Sequence, residues 1–475
     1  MGHNVLAQLA LLGYPAAVLV LFALLPLRRA ILTAMVGGWL FLPTIKLPVV
    51  GIPDYDKIVA TNCAVALGCI IFAGRELLAL RPKWIDIPML LWCIAPSLSS
   101  LSNDLGYYDA GSVGVRQVLT WLVPYCIGRA FFKDSQSMRD LAIAFVVGGV
   151  AYIPFCLLEV RLSPQLNYWV YGFHQNQFWR NMRLDGFRPV VFMNNGLMVG
   201  MWMATSTVIS FWLWLSGERK LLGVPYPAIF GALLVVTVLC KALYAIMLML
   251  LALALLLVAR YGKTLVPAML LFLAVPGYMA VRGLQILPAE TIVQQAKTVF
   301  GSDRAQSLGA RLSQEDFMIK HAMERPVFGW GGYRRSWPID TYTGEFQIRG
   351  LDGLWTIMIG QNGLFGVGCV FATLLAPIGY VLFRRQNRTW GDSQRAAYEV
   401  LSISLLIFTC DCLLNGMFNP LFIVIAGAIS QPLRDATAEA YDVAPTEFGR
   451  ANSVQRNLKR INGSYSSTPI APYDA

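Results

Sequence analysis

Residues 242–259 read ALYAIMLMLLALALLLVA, an apolar run without a single charged side chain. A helix that crosses the hydrocarbon core of a bilayer needs about 20 apolar residues, and runs of about 18–22 recur along this chain. The composition agrees, because 56% of the 475 residues are hydrophobic and only 14% are charged. The sequence therefore predicts an integral membrane protein with many helices.

Thirteen segments have the apolar character of a membrane helix. They cover residues 5–27, 31–50, 58–73, 85–101, 113–132, 141–160, 189–215, 222–240, 242–259, 264–281, 352–383, 397–414 and 416–432. The first does not fit a signal peptide, because Arg28 and Arg29 follow the apolar stretch and no small-residue cleavage site occurs. We expect an all-α polytopic membrane protein with about 12–13 transmembrane helices.

The short connections predict the orientation of these helices. Basic residues are concentrated at 28–29, 75–83, 129–139, 219–220, 260–263 and 384–395. The positive-inside rule places these six connections in the cytoplasm and the N-terminus outside.

This orientation divides the chain into four parts. Residues 1–282 would hold helices 1–10 with an aromatic and basic outer loop at 161–188, and residues 283–351 a large periplasmic loop carrying short helices. Residues 352–432 would hold helices 11–13. Residues 433–475 would form a disordered cytoplasmic tail.

Both long outer loops are rich in arginine, and the positive-inside rule does not account for charges in long loops. Arg188 lies at the mouth of the seventh helix, Lys241 lies between two apolar runs, and Arg311 lies in the second loop, with Arg183 as a secondary candidate. These cations suit a diphosphate, because guanidinium groups form bidentate hydrogen bonds to phosphate. The alternative is that each side chain only reaches the lipid headgroups. That alternative fits Lys241 least, since an ionisable group between membrane helices is costly without an anionic partner.

Two acidic residues are candidates for chemistry. Asp352 precedes the eleventh helix, where an ionised carboxylate can accept a proton from a sugar hydroxyl, but Asp is also a preferred helix N-cap. Asp411 lies within an apolar run close to Asn415 and Asn419. It would pair with one of the cations or belong to a structural hydrogen-bond network.

Aromatic side chains in the outer loops are candidate glycan contacts. They are Trp169, His174, Trp179, Trp330 and Tyr333. Residues 307–324 predict a short amphipathic helix whose apolar side holds Leu312, Phe317, Ile319 and Met323. Pro326 and Gly329 would end this helix in the stretch RPVFGWGGYRR (325–335). We assign a structural role to Pro326 and the glycines, whereas Arg334 and Arg335 would meet either lipid headgroups or substrate.

Several classes of site are disfavoured by the composition. The nine cysteines all lie in or at the edge of apolar runs, which favours packing over disulfides or metal binding. With three histidines, a His-rich metal site is not expected, and the net charge of +11 suits inner loops that touch anionic lipid rather than nucleic acid. The pair Asp54 and Asp56 has the spacing with which some sugar transferases hold a divalent cation, but such a short motif occurs easily by chance.

Residues 304–383 resemble the O-antigen ligase / O-antigen polymerase family of membrane proteins. The resemblance is carried by Arg311, by RPVFGWG (325–331) and by GLFG (363–366), and more weakly by FRPVVFMNNG (187–196) and LCKALYA (239–245). Asp352 and Gly353 stand where the family usually has His and Asn. Either Asp352 replaces the histidine or this chain acts differently from the family.

The resemblance implies a glycosyltransferase of the GT-C type in the bacterial inner membrane, with its active site facing the periplasm. Such an enzyme polymerises or ligates a glycan from an undecaprenyl-diphosphate-linked donor onto a glycan or lipid-linked acceptor, with inversion and without a metal or other cofactor. Arg188, Lys241 and Arg311 would bind the diphosphate, and Asp352 would be the catalytic base. Further partners would be the lipid bilayer and other proteins of envelope polysaccharide assembly.

Two other functions remain open on the sequence. A flippase for the lipid-linked glycan predicts paired repeats and ionisable residues near the bilayer midplane, and the sequence has no repeat. A metal-dependent GT-C enzyme would use Asp54 and Asp56.

Overall fold

The computed structural model describes residues 3–49, 53–183, 186–300, 302–332, 334–339, 344–348, 352–384, 390 and 392–433. Within these ranges the side chains of 296, 299–300, 302–307 and 384 are not described. The chain divides into a helical unit, Met1–Pro432, and a second unit, Leu433–Ala475. The predicted cytoplasmic tail belongs to the second unit and, beyond Leu433, lies outside the described residues.

Helices dominate the helical unit from its first residues. The first nine are α1 (Val5–Leu24), α2 (Leu27–Phe41), α3 (Lys57–Leu78), α4 (Ile87–Ser102), α5 (Gly106–Gln117), α6 (Val123–Phe131), α7 (Ser135–Leu162), α8 (Leu166–Tyr171) and α9 (Gly196–Leu215). A 3₁₀ turn, Trp84–Asp86, leads into α4, a second one covers Phe178–Asn181, and a π-helical turn, Val118–Leu122, joins α5 to α6.

The second half of the unit is also helical. Its helices are α10 (Tyr226–Leu239), α11 (Leu243–Tyr261), α12 (Val266–Gly283), α13 (Ala289–Phe300), α14 (Ser302–Ala322), α15 (Leu354–Arg384), α16 (Ala396–Leu414) and α17 (Pro420–Ile429). The strands form three two-residue antiparallel pairs: β1 (Lys46–Leu47) with β2 (Tyr55–Asp56), β3 (Met182–Arg183) with β4 (Gly186–Phe187), and β5 (Lys220–Leu221) with β6 (Val224–Pro225).

Nine helices in the described part of the chain are long and apolar enough to cross a membrane: α1, α3, α4 with its 3₁₀ turn, α7, α9, α11, α12, α15 and α16. The all-α, multi-pass membrane fold expected from the sequence is therefore confirmed. Each of the thirteen predicted segments contains a helix, but α10 and α17 are shorter than a full span, α2 has 15 residues, and α5 and α6 are joined by the π-helical turn. The predicted number of spans is thus higher than nine.

The predicted inner loops meet at one end of the bundle, which we call the basic end. Arg28 pairs with Asp134 at 2.7 Å, which joins the first basic connection to the third. Arg129 donates to the carbonyl of Arg81, and Arg139 pairs with Glu218, so the second and fourth connections lie at the same end. Since Glu218 follows α9 and Arg188 precedes it, Arg188 lies at the opposite end of that helix.

The core of the bundle is formed by α9, α16 and α17, whose side chains are buried along most of their length. Aromatic stacking ties this core together. Phe145 of α7 stacks on Trp202 of α9 with ring centroids 4.9 Å apart, and Phe408 of α16 stacks on Phe422 of α17 at 4.1 Å. By contrast few residues of α1 and α12 are buried, as expected of helices that face lipid.

Two local predictions differ from the structure. The seventh membrane helix was expected from residue 189, but α9 begins at Gly196, where Asn195 caps it by accepting from the N–H groups of Leu197 and Met198. Residues 188–195 are therefore not helical. On α14, Leu312 and Ile319 are buried as predicted, whereas Phe317 is exposed, and so is Met323, which lies just beyond the end of the helix. The buried side of α14 is instead completed by Glu315, Met318 and Ala322, which continue the spacing of three and four residues.

Candidate functional site

Arg188 lies where the β3–β4 hairpin passes into the non-helical segment 188–195. Its backbone N–H donates to the carbonyl of Asn181 at 2.8 Å, and its Nη2 donates to the carbonyl of Lys241 at 2.9 Å. Its Nε is buried and has no hydrogen-bond partner among the described residues. One donor of this guanidinium is thus held by the protein, while another is buried without a hydrogen-bond partner in the described part of the chain.

Lys241 occupies the break between α10 and α11 in a left-handed backbone conformation, with φ of 51°. Its Nζ donates to the carbonyl of Arg183 at 3.0 Å and lies against Gly186, so the side chain supports the β3–β4 hairpin. The predicted residues Arg183, Arg188 and Lys241 are therefore brought together, although the ammonium of Lys241 is already engaged with the backbone.

Arg311 of α14 completes a group of four cations, which we call the cationic cluster: Arg183, Arg188, Lys241 and Arg311. Burial and then repulsion by Arg183 and Arg311 lower the pKa of Arg188 to about 10. No described carboxylate forms an ion pair with Arg188 itself. At neutral pH the guanidinium stays charged, and the cluster favours an anion.

Asp352 forms an ion pair with Arg311, with 3.1 Å between Nε and Oδ2. Both side chains are accessible, at 37% exposure for Arg311 and 55% for Asp352. They line a cavity of about 20 Å³ together with Thr356 and Leu413. Because α15 begins at Leu354, the N-cap position does not fall on Asp352, and the alternative assignment as a helix cap is not supported.

Arg282, at the end of α12, fixes the helix that carries Arg311. Its Nε donates to Glu315 at 2.7 Å, its Nη2 to Asp316 at 2.8 Å, and its Nη1 to the carbonyl of Leu287 at 2.7 Å. Arg282 is 1% exposed, and burial raises the pKa of Glu315 although the ion pair opposes that shift. A membrane helix thus holds α14 through a buried ion pair that sequence analysis did not identify.

Asp411 is buried near the end of α16. Its Oδ1 accepts a hydrogen bond from Asn415 Nδ2 at 2.7 Å, and Arg311 attracts its charge. It also lines a small cavity with Asn419. Of the two predicted alternatives, the described contacts show the hydrogen bond to Asn415, whereas no ion pair of Asp411 with a cation occurs among the described residues. Asp411 nevertheless lies within electrostatic reach of Arg311.

The stretch 325–331 docks into a break in α15. At Gly363 the backbone has φ of 63° and ψ of −164°, which interrupts the helix. The stretch bridges the break with four backbone hydrogen bonds of 2.8–3.2 Å, two donated to Gly360 and Gln361 and two accepted from Leu364 and Phe365. This arrangement accounts for the two glycine-containing motifs, RPVFGWG and GLFG, on structural grounds.

The arginines within residues 325–335 also make contacts inside the protein. Arg325 donates to Asn103 and lies over the ring of Trp330 at 4.4 Å. Arg335 approaches Asp109 at 3.6 Å, and Arg334 lies over the ring of Trp337 at 4.9 Å. These contacts dock the stretch on the corner between α4 and α5 rather than on a substrate.

The aromatic candidates fall into two groups. Trp169 and Trp179 are 56% and 61% exposed, so their rings are accessible to a glycan or to lipid headgroups. Trp330 stacks on His321 with centroids 4.4 Å apart, and His174 stacks on Tyr168 at 4.8 Å. The rings of this second group are already engaged within the protein. Tyr333 lies outside the described residues.

Both carboxylate oxygens of Asp56 already accept hydrogen bonds within the protein. Its Oδ1 caps α3 by accepting from the N–H groups of Ile58 and Val59, and its Oδ2 pairs with Arg116 at 2.6 Å. No group of three or more His, Cys, Asp or Glu side chains suited to a metal occurs among the described residues. Asp54 contributes its backbone carbonyl to Arg116 at 3.3 Å. A cation at Asp54 and Asp56 would therefore have to displace existing contacts.

Two buried charged residues lie near Arg188 that the sequence did not indicate as parts of a site. Glu159 ends α7 and is 1% exposed, and Lys57 begins α3 and is 5% exposed. Both contact segment 188–195. Each is an ionisable residue at the end of an apolar run, and that position is a signal by which it can be found.

Comparison of the sequence with models of protein families and with curated proteins gives no match.

Proposed function

We propose that the protein is a membrane glycosyltransferase that polymerises or ligates a glycan taken from an undecaprenyl-diphosphate-linked donor. The observation that carries the proposal is the cationic cluster: Arg183 and Arg311 both lie close enough to Arg188 to repel its charge, and Nε of Arg188 is left without a partner in the described structure. A diphosphate has the charge and the acceptor oxygens to satisfy such a group.

The pairing of Arg311 with Asp352 supports a specific order of events. The two side chains are 3.1 Å apart around a cavity of about 20 Å³, which is too small for a sugar diphosphate. The donor diphosphate would draw Arg311 away from Asp352 and widen the cavity. Asp352 would then be released as a base only when the donor is in place.

The reaction itself is a displacement at the anomeric carbon of the donor sugar. The acceptor hydroxyl oxygen forms the new bond to that carbon as the bond to the diphosphate oxygen breaks, and the leaving diphosphate keeps the electron pair. Asp352 takes the proton of the hydroxyl, and Arg188 and Arg311 stabilise the charge that grows on the diphosphate. Attack from the opposite side inverts the configuration.

The surroundings of the cluster fit this reaction. Trp169 and Trp179 offer exposed rings on the segment before Arg188, and such rings stack on sugar faces. The helical membrane fold is of the kind used by GT-C enzymes, and lipid between the exposed helices can hold the polyprenyl chain. The cluster lies opposite the basic end, so we assign it to the periplasmic face of a bacterial inner membrane. Glycan acceptors and other proteins of envelope polysaccharide assembly are the partners this location implies.

The test is complementation of a deletion strain, with the glycan chain-length profile as readout. The wild-type gene should restore long chains, whereas Arg188→Ala, Arg311→Ala and Asp352→Ala should not, with protein levels in the membrane equal to wild type. Full activity of Arg188→Ala and Arg311→Ala would refute the proposal.

The deletion strain also separates the enzyme from a flippase. An enzyme defect leaves single lipid-linked repeat units on the outer face of the membrane, whereas a flippase defect leaves them on the inner face. Purified protein with lipid-linked repeat units should then form longer glycans if it is a polymerase, or transfer them to a second acceptor if it is a ligase.

A further inference from the structure

A buried carboxylate holds the backbone that carries Arg188. Glu159, at the end of α7, is 1% exposed. Its Oε2 accepts from the backbone N–H groups of Val190 and Val191, both at 2.7 Å, and its Oε1 accepts from Leu166 at 3.0 Å. Three N–H donors thus converge on two carboxylate oxygens, which an amide of the same shape cannot reproduce because one of its two ends is a donor.

Three further backbone groups of segment 188–195 also form hydrogen bonds with side chains. The carbonyl of Val191 accepts from Gln175 Nε2 at 2.7 Å, and the carbonyl of Phe192 accepts from Lys57 Nζ at 3.0 Å. The N–H of Phe192 donates to Tyr152 Oη at 3.3 Å. Non-helical backbone at membrane depth persists only where the protein satisfies its N–H and carbonyl groups, and here side chains do so group by group.

The conformation that these contacts hold is a strained one. Val191 has φ of 52°, a region that a β-branched residue avoids because its side chain collides with the backbone. Such strain persists only where the surroundings determine the backbone conformation, and it is concentrated at binding and catalytic sites. The two hydrogen bonds to Glu159 fix the N–H groups of two successive peptides, one on either side of the Cα atom of Val190.

This backbone determines where the guanidinium of Arg188 lies. Only Pro189, whose φ is fixed by its ring, separates Arg188 from the clamped residues. The side chain of Arg188 lies across the start of α9, so close that a Cβ at Gly196 would be 2.4 Å from its Cγ and Cδ. Its Nη2 then reaches the carbonyl of Lys241.

We propose that Glu159 is a positioning residue that sets the guanidinium of Arg188 for the donor diphosphate by clamping the backbone of Val190 and Val191. The inference rests on the proposed function, since it assigns Glu159 a role in the same site. Glu159 does not touch the donor. Its contribution passes entirely through Arg188, and this property separates a positioning role from a general role in folding.

The test measures binding of undecaprenyl diphosphate to the purified full-length protein in nanodiscs. Glu159→Gln keeps the size of the side chain but turns one acceptor into a donor, and it should weaken binding by about 10²-fold, the loss that a misplacement of about 1 Å can cause. Glu218→Gln, a carboxylate at the basic end, is the matched control and should bind like wild type. Arg188→Ala should weaken binding at least as much as Glu159→Gln does, and Glu159→Gln combined with Arg188→Ala should be no weaker than Arg188→Ala alone.

Each outcome bears on one claim. Wild-type binding by Glu159→Gln refutes the positioning role, and so does a double variant that is weaker than Arg188→Ala by the full factor of Glu159→Gln. Wild-type binding by Arg188→Ala refutes the proposed function itself. If Glu159→Gln does not fold, Gln175→Ala replaces it in the same cycle, since it removes one donor to the segment. Gln175→Ala should weaken binding of undecaprenyl diphosphate, and it should cause no further loss when it is combined with Arg188→Ala. Wild-type binding by Gln175→Ala would then overturn the inference.

Discussion

Gly363 offers the sharpest test of how the motifs RPVFGWG (325–331) and GLFG (363–366) pack against each other. It interrupts α15 with φ of 63° and ψ of −164°, a region occupied almost only by glycine. A Cβ at this position would lie 2.4 Å from the carbonyl oxygen of Val327 and 2.7 Å from that of Pro326. Gly363→Ala must therefore change both the backbone of the helix break and the position of the docked stretch 325–331.

The cost of this change can be worked from the contacts. Forcing alanine into the glycine region costs about 1–3 kcal/mol. Moving the stretch away from the new methyl group also loosens the hydrogen bonds that Leu364 and Phe365 donate to Pro326 and Val327, at 2.8 and 3.2 Å. Each such bond contributes about 0.5–1.5 kcal/mol net, so the free energy of unfolding should fall by about 2–6 kcal/mol in total.

The matched control lies on the same helix. No atom lies within 4 Å of a Cβ placed at Gly368, so Gly368→Ala should be neutral or stabilise by up to about 1 kcal/mol. Denaturant titration of both variants in the same detergent measures the difference. Because the stretch 325–331 follows α14, Gly363→Ala should also weaken binding of undecaprenyl diphosphate through Arg311. Equal stability of the two variants would refute the docking of the stretch into the helix break.

Three further predictions concern the charged side chains. Asp352→Asn should lower the turnover of glycan transfer by about 10²–10⁴-fold, the usual contribution of a general base, while donor binding is kept because Arg311 is unchanged; a similar loss in binding would argue against the role of base. Arg188→Met removes a cation that its neighbours repel, so thermal unfolding of the unliganded protein should occur no earlier than in wild type, whereas the stabilisation by added undecaprenyl diphosphate, about 2.7 kcal/mol at 100 times Kd, should disappear. Chelation with EDTA should leave glycan transfer unchanged, whereas loss of activity on chelation and its recovery on adding manganese would favour a metal-dependent enzyme. Asp56→Ala should lower the free energy of unfolding by about 1 kcal/mol, because the cap of α3 is lost.

The fold was predictable because its signal is local. Each membrane helix is a run of apolar residues that identifies itself without reference to the rest of the chain. The grouping of the basic connections at one end also follows from sequence, since it depends only on counting charges between runs. The ion pairs Arg28–Asp134 and Arg139–Glu218 confirm this grouping by joining connections that are far apart in the chain.

The candidate site was predictable only in part, because its contacts are not local. The sequence pointed to Arg188 and Arg311 as residues of one site, and the structure brings them within electrostatic reach of each other. The sequence could not indicate that Asp352 pairs with Arg311, since 41 positions separate the two residues. The π-helical turn, the late start of α9 and the break at Gly363 also depend on neighbours that periodicity alone does not identify.

The buried charges explain how a group of like charges can be held at the end of the bundle. Repulsion among the cations tends to separate the segments that carry them, and neither segment 188–195 nor α14 spans the membrane. Each is tied to a spanning helix through a buried charge: Glu159 of α7 holds the first, and Arg282 of α12 holds the second through Glu315. For the ion pair of Arg282 with Glu315, removing one partner costs about 3–5 kcal/mol, whereas the pair itself contributes little net stability. Such groups therefore do not serve chiefly to make the protein more stable. They hold the cations of the cationic cluster close together although these cations repel one another. An anion that binds to the cluster is therefore attracted by the same charges.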